Sequence, residues 1–169
     1  VSPRAAVVVG NPRPRSRTRD AAVHLATELT GTAPEAIVDL ADLGAALLDW
    51  ADPAVTAVVD EVRAADLLVV ASPTYKATYT GLLKLFLDRF PPGGLRGVVT
   101  VPLMLGAGPA HALAPELTLR PVLTEIGATV PVPGAYVLDA SYDDPAAYDA
   151  WLEVARPVVA SLVGDGVAA

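Results

Sequence analysis

The sequence predicts an α/β protein, a three-layer sandwich with a five-stranded parallel sheet between helices and strand order 2-1-3-4-5. Three observations predict it. Short aliphatic runs alternate with helical patterns five times in 169 residues, as when parallel strands are joined by right-handed crossovers. The third run, "LLVVAS", is apolar at consecutive positions, the pattern of a strand covered on both faces. No repeat, low-complexity segment or linker divides the chain, so a single domain over residues 1–169 is expected.

The first strand is "AAVVVG", residues 5–10, β-branched and closed by glycine. "TRDAAVHLATELTG" follows as a helix with Ala22, Leu25, Ala26 and Leu29 on one face and Gly31 as its stop. "EAIVDL" is the second strand, and "DPAVTAVVDEVRAAD" a helix with Asp52 as N-cap and Pro53 at its first position. "LLVVAS" is the third strand, and "TGLLKLFLDRF" a helix capped by Thr80. "GVVTVPLML" is the fourth strand, although Pro102 argues against a central place. "AHALAPELTLRPVLTEIG" is helical but broken or kinked by Pro115 and Pro121. "TVPVPGAYVL" suits an edge strand, and "DPAAYDAWLEVARPVVASLV" closes the chain as a helix. Five strands fit the flavodoxin-like order better than the longer six-stranded dinucleotide fold. A ligand then sits beyond the carboxyl ends of the strands, near the switch between strands one and three.

Charge narrows the ligand. The net charge is −7, against a general nucleic-acid binder. Yet residues 1–19 carry five arginines and no acid, leaving −12 on the other 150 residues. A basic island in an acidic chain points to a local anion site, or to a solvated arginine face. No apolar run reaches the roughly 18 residues of a membrane span, and there is no secretory signal pattern. The absence of cysteine excludes disulfides, thiolate metal sites and a cysteine nucleophile. A cytoplasmic protein is expected, with neither membrane nor nucleic acid as partner and no metal site.

Three loops should meet at the ligand. "GNPRPRSRTRD" contains neither GxGxxG nor a P-loop. It does place donors before a helix N-terminus, where free N–H groups and the helix dipole suit a phosphate. Ser16 and Thr18 offer hydroxyls there, Arg13 and Arg17 charged forks, and Asn11 is the only asparagine in the chain. Ser16 or Thr18 can equally be an ordinary helix cap, and the arginines surface charges. In "SPTYKATY", Pro73 and Thr74 can offer backbone groups to a planar ring, and Tyr75 can pack on it. Lys76 lies in the same loop and suits either a site or a surface role, whereas Lys84 suits a helix surface. In "LGAGPAHA", Gly106 and Gly108 flank Ala107 and permit close backbone approach. His111 reads as structural. The two histidines have no nucleophile arranged beside them.

"GNPRPRSRT" followed by "SPTYKATYTGLLKLFLD" resembles the NAD(P)H-dependent FMN reductase family, and within it the flavin reductases of two-component sulfonate monooxygenase systems. "GAGPAHA" and "RPVL", residues 120–123, extend the likeness in order along nearly the whole chain. The resemblance implies a flavodoxin-like fold and FMN with NADPH or NADH as cofactors. It implies hydride transfer carried by the flavin, with no catalytic side chain. It would set Asn11, Arg13, Ser16, Arg17 and Thr18 at the phosphate, Pro73, Thr74, Tyr75 and Lys76 along the ring, and Gly106, Ala107 and Gly108 at its other edge. Two departures stand out: Asn11 replaces a usual serine, and Leu117 stands where relatives often carry a tyrosine in a long interface helix. The resemblance also implies a homodimer or homotetramer and a flavin-dependent monooxygenase as recipient of reduced flavin. A quinone or azo reductase with bound FMN, or a non-enzymatic FMN electron carrier, are the alternatives. A phospho-ligand domain without flavin is a third.

Overall fold

All five apolar runs pair as strands in the computed structural model, which describes residues 3–163. These are β1 (Ala5–Val9), β2 (Ala36–Asp39), β3 (Leu67–Pro73), β4 (Val99–Gly106) and β5 (Ala135–Leu138). They form one parallel sheet in the order β2-β1-β3-β4-β5, as expected. Among the described residues six α-helices flank it: α1 (Arg17–Thr30), α2 (Leu40–Leu43), α3 (Pro53–Arg63), α4 (Gly81–Leu87), α5 (Arg120–Glu125) and α6 (Ala146–Val163).

The two-residue period of the strands divides the core. Val7, Val69 and Val101 face the α1 and α6 layer, where Leu25 and Leu152 are buried. Val8, Val70 and Met104 face the opposite layer, built from Val55 on α3, Leu83 on α4 and Leu123 on α5. Both faces of β1 and β3 are therefore dry, which explains their unbroken apolar runs. The expected end signals hold. Asp52 accepts from Ala54 N at 2.9 Å and Val55 N at 3.1 Å, and Gly31 ends α1 at φ 76°, a left-handed conformation that glycine adopts without strain.

Pro102 does lie in a central strand, between β3 and β5, and the ladder explains how. Val99 N donates toward β3, to Asp66 O at 3.1 Å, while Thr100 N donates the other way, to Thr129 O at 2.7 Å. Pro102 shares the parity of Thr100, so its missing N–H falls on the β5 side. The β4–β5 ladder starts only at Leu103 opposite Ala135, so no strand bond is lost.

Strand five is shorter than its apolar run, because Pro131 and Pro133 keep Val130–Gly134 out of the ladder. Arg120 satisfies that backbone instead, donating to Val130 O at 2.8 Å and Val132 O at 3.0 Å. Glu116 accepts from Gly134 N at 2.9 Å. The expected break before α5 is a short turn at Pro109–His111 and a π-helical turn at Pro115–Leu119. Among the described residues, no helix is long and apolar enough to cross a membrane.

Candidate functional site

The carboxyl ends of β1, β3 and β4 carry the three loops. Their separation is set by a buried polar joint. Thr80 caps α4 by accepting from Leu83 N at 3.1 Å, and its hydroxyl donates to Gly10 O at 2.5 Å. Thr80 N donates to Ser72 Oγ at 3.0 Å, and that hydroxyl donates to Pro73 O at 2.8 Å. Gly10 permits the joint, since a Cβ there would stand 2.5 Å from Leu83 Cβ. The first two loops are thereby fastened to each other.

In the first loop Asn11 is buried, and both ends of its amide are engaged. Nδ2 donates to Thr18 Oγ1 at 3.0 Å, and Oδ1 accepts from Arg13 N at 2.9 Å. Asn11 thus braces the loop against α1. Ser16 caps α1, its Oγ accepting from Arg19 N at 3.3 Å. Arg19 N and Asp20 N donate to Ser16 O at 2.9 and 3.2 Å, which leaves the Arg17 and Thr18 amides outside the ladder, as at any helix start. Arg15 adopts φ 51°, and its N donates to Asp39 Oδ2 at 2.9 Å. A non-glycine residue in this region is strained; the buried Asp39 at the end of β2 holds it there.

Arg13, Arg15 and Arg17 form no ion pair among the described residues, whereas Arg4, Arg19, Arg63, Arg120 and Arg156 each do. The Arg17 guanidinium lies 5.6 Å from the centre of the Tyr142 ring. These arginines line one open pocket with Ser16, Thr18 and Asn11 on one side and Pro73 and Tyr75 on the other. Asp139, just after β5, is its acid. Seven of the expected site residues therefore meet in one place: Asn11, Arg13, Ser16, Arg17, Thr18, Pro73 and Tyr75.

The second loop turns sharply. Tyr75 and Thr78 bond each other as a two-residue hairpin, with Lys76 at φ 53° and Ala77 at φ 66°. This mirror-image turn favours Asn-Gly, so Lys-Ala is an unusual tip. Lys76 is exposed and outside the pocket lining. Thr74 N donates to Leu105 O at 2.7 Å, tying the loop to β4. Its Oγ1, however, is buried with no hydrogen-bond partner.

The third loop does not line the same pocket. Gly106 is buried at the end of β4, Ala107 is exposed, and Gly108 is half-buried. Tyr136 on β5 reaches over them, donating its hydroxyl to Gly108 O at 2.7 Å. Burial, with the Asp139 carboxylate adding and Thr74 opposing, raises the Tyr136 pKa above the ordinary tyrosine value. Sequence reasoning missed Tyr136, Arg15, Asp39 and Asp139 as site residues. Arg15 alone had a local signal, as one more arginine in a loop already singled out. Among the described residues, no group of three or more histidines and acids is placed to hold a metal ion.

The geometry can be compared with known proteins. The family model for NADPH-dependent FMN reductase matches residues 3–143. The FMN reductase (NADPH) of Pseudomonas aeruginosa is 37% identical over 150 residues, covering 82% of this chain and 78% of that one. The NADH-dependent FMN reductase SfnF of Pseudomonas fluorescens is 36% identical over 140 residues, covering 76% and 73%. Against the FMN reductase (NADPH) of Escherichia coli identity is 39% over 92 residues, 54% of this chain and about half, 48%, of that relative's length. In structure, an apo NADH:FMN oxidoreductase superposes with a TM-score of 0.81 at 30% identity, over 95% of this chain and 88% of that one. The likeness runs from β1 through the arginine loop, the hairpin loop and the glycine loop into the segment after β5. The chain belongs to the NADPH-dependent FMN reductase family of oxidoreductases.

Proposed function

We propose that the family activity, NAD(P)H-dependent reduction of FMN, runs over the pocket between the arginine loop and the hairpin loop, and that reduced flavin passes to a partner monooxygenase. The observation that carries this reading is the convergence of three unpaired guanidiniums, a helix N-terminus and an apolar Pro73–Tyr75 wall. A dianionic phosphate suits the first two, and a planar ring suits the third. The buried, unpartnered Thr74 hydroxyl fits the same reading, since a native buried donor without a partner calls for an explanation.

In this reading Arg13, Arg15 and Arg17, with the Arg17 and Thr18 amides at the start of α1, hold the phosphate. Ser16 and Asn11 keep the loop in shape, through the α1 cap and the bonds to Thr18 and Arg13. Thr74 and the backbone beside Pro73 meet the ring edge, Tyr75 covers it, and Gly106 to Gly108 stand at the far side. Lys76 stays at the hairpin tip, beside the entrance. FMN, when bound, supplies the hydride-accepting chemistry, so the protein's work is placement and charge. The chain acts in the cytoplasm as a homodimer or homotetramer. Two surfaces support assembly: Leu113 and Leu117, 65% and 69% exposed beside the π-helical turn, and Trp50, 69% exposed with Arg89 stacked on it.

The test is nicotinamide oxidation with NADH and with NADPH, each with and without added FMN, alongside a flavin titration. FMN-dependent oxidation is expected. Tight flavin binding without turnover would identify an electron carrier instead, and indifference to FMN would leave a phospho-ligand domain. Sedimentation at micromolar protein should show a dimer or tetramer.

A further inference from the structure

We propose that Tyr136 is a positioning residue that holds the Gly106–Gly108 loop in place for the flavin ring; the inference rests on the FMN reading above. Tyr136 stands opposite Met104 in the β4–β5 ladder, and its ring packs on the core layer that contains α4 and α5. Its hydroxyl overhangs Gly106, where a Cβ would collide with the hydroxyl oxygen. The same hydroxyl donates to Gly108 O at 2.7 Å. Among the described residues no other side chain bonds Ala107 or Gly108. One oxygen therefore occupies the space above the first glycine and anchors the second.

This explains the glycine at position 106 without reference to ligand. Any side chain there would expel the tyrosine hydroxyl and release Gly108. It also places a proton donor where it persists, since burial, opposed by Thr74 and aided by Asp139, favours the neutral phenol. A loop ordered before the ligand arrives loses less entropy on binding. Removing the hydroxyl should therefore weaken contacts to the ring and leave the phosphate contacts of the arginine loop intact.

The experiment titrates wild type, Tyr136→Phe and Arg13→Ala with FMN and with riboflavin, which lacks the phosphate, following flavin fluorescence. Tyr136→Phe is expected to weaken both flavins by the same factor, roughly threefold to tenfold, the range of one net hydrogen bond. It should also shift the absorption band of saturating bound FMN, with little change in melting temperature. Arg13→Ala should weaken FMN but not riboflavin. FMN affinity within twofold of wild type and an unmoved band in Tyr136→Phe would overturn the proposal while leaving the FMN reading intact. A large drop in melting temperature would do the same, assigning the hydroxyl to folding. A wild-type protein that binds neither flavin overturns both.

Discussion

Thr74 shows how a single residue can be out of balance with its own fold. Its hydroxyl is buried beside the Pro73 turn with no partner, and such a group costs about 1–3 kcal/mol. Thr74→Val keeps the shape and removes the orphan. The variant should be more stable by about 1 kcal/mol, a rise of roughly 2–4 °C in Tm for a chain of this size, while binding FMN several-fold more weakly. Calorimetry and flavin titration check the pair of outcomes. A rise in both stability and affinity would remove the hydroxyl from the ligand site. Asn11 shows the converse. The family resemblance implies a phosphate contact for it, yet one N–H of its amide and its oxygen bond Thr18 and Arg13 inside the loop. Whether a polar side chain faces its own loop or the ligand depends on the fold around it, and local sequence does not carry that information.

At the scale of elements, the hairpin between β3 and α4 is where local preference and structure disagree. Lys76 and Ala77 both occupy the left-handed region, at a cost of about 1–2 kcal/mol each for residues with a Cβ. Ala77→Gly should relieve that strain, offset in part by about 0.5–1 kcal/mol of extra chain entropy. A small gain in stability is expected, and chemical denaturation measures it; a loss would show that the left-handed turn is not the strained form. The neighbouring elements conform to their sequence. Ser16, Asp52 and Thr80 cap α1, α3 and α4 as their positions suggest. The segment around α5 was legible as broken but not in its form. The prolines mark a disturbed helix, which runs through the π-helical turn into α5, but the bonds of Arg120 and Glu116 to the Val130–Gly134 loop depend on a segment ten or more residues further on.

Across the whole molecule, α1 and α6 are tied to one sheet face, and Tyr148 sits where they meet. It is 1% exposed, packs edge-on against His24 and donates its hydroxyl to Tyr142 O at 2.6 Å. Burial, and then the Asp143 carboxylate, push its pKa up to about 12. The folded value lies above the unfolded value of about 10, so the neutral phenol's contribution is complete below pH 10. It is lost as pH rises through about 12. Stability measured by denaturant titration should therefore decline over that window, by on the order of 2–3 kcal/mol. Tyr148→Phe should flatten the decline; an unchanged alkaline profile in that variant would assign it to other groups.

The layer order and strand order were legible because they follow from local periodicity and a general handedness: five apolar runs, each followed by a helical stretch, leave few ways to build a covered parallel sheet. The arginine loop and the Pro73–Tyr75 turn were legible because the relevant residues are neighbours in sequence. Tertiary structure alone decided what joins distant segments. It bonds Thr80 to Gly10 across 70 residues, Arg15 to Asp39 across 24, and Tyr136 to Gly108 across 28. Those bonds depend on strand register and on which face each side chain takes. The separate runs that compose the chain do not encode either one individually. Hence the loops of the candidate site could be read from the sequence, while the support that shapes its pocket could be read only from the fold.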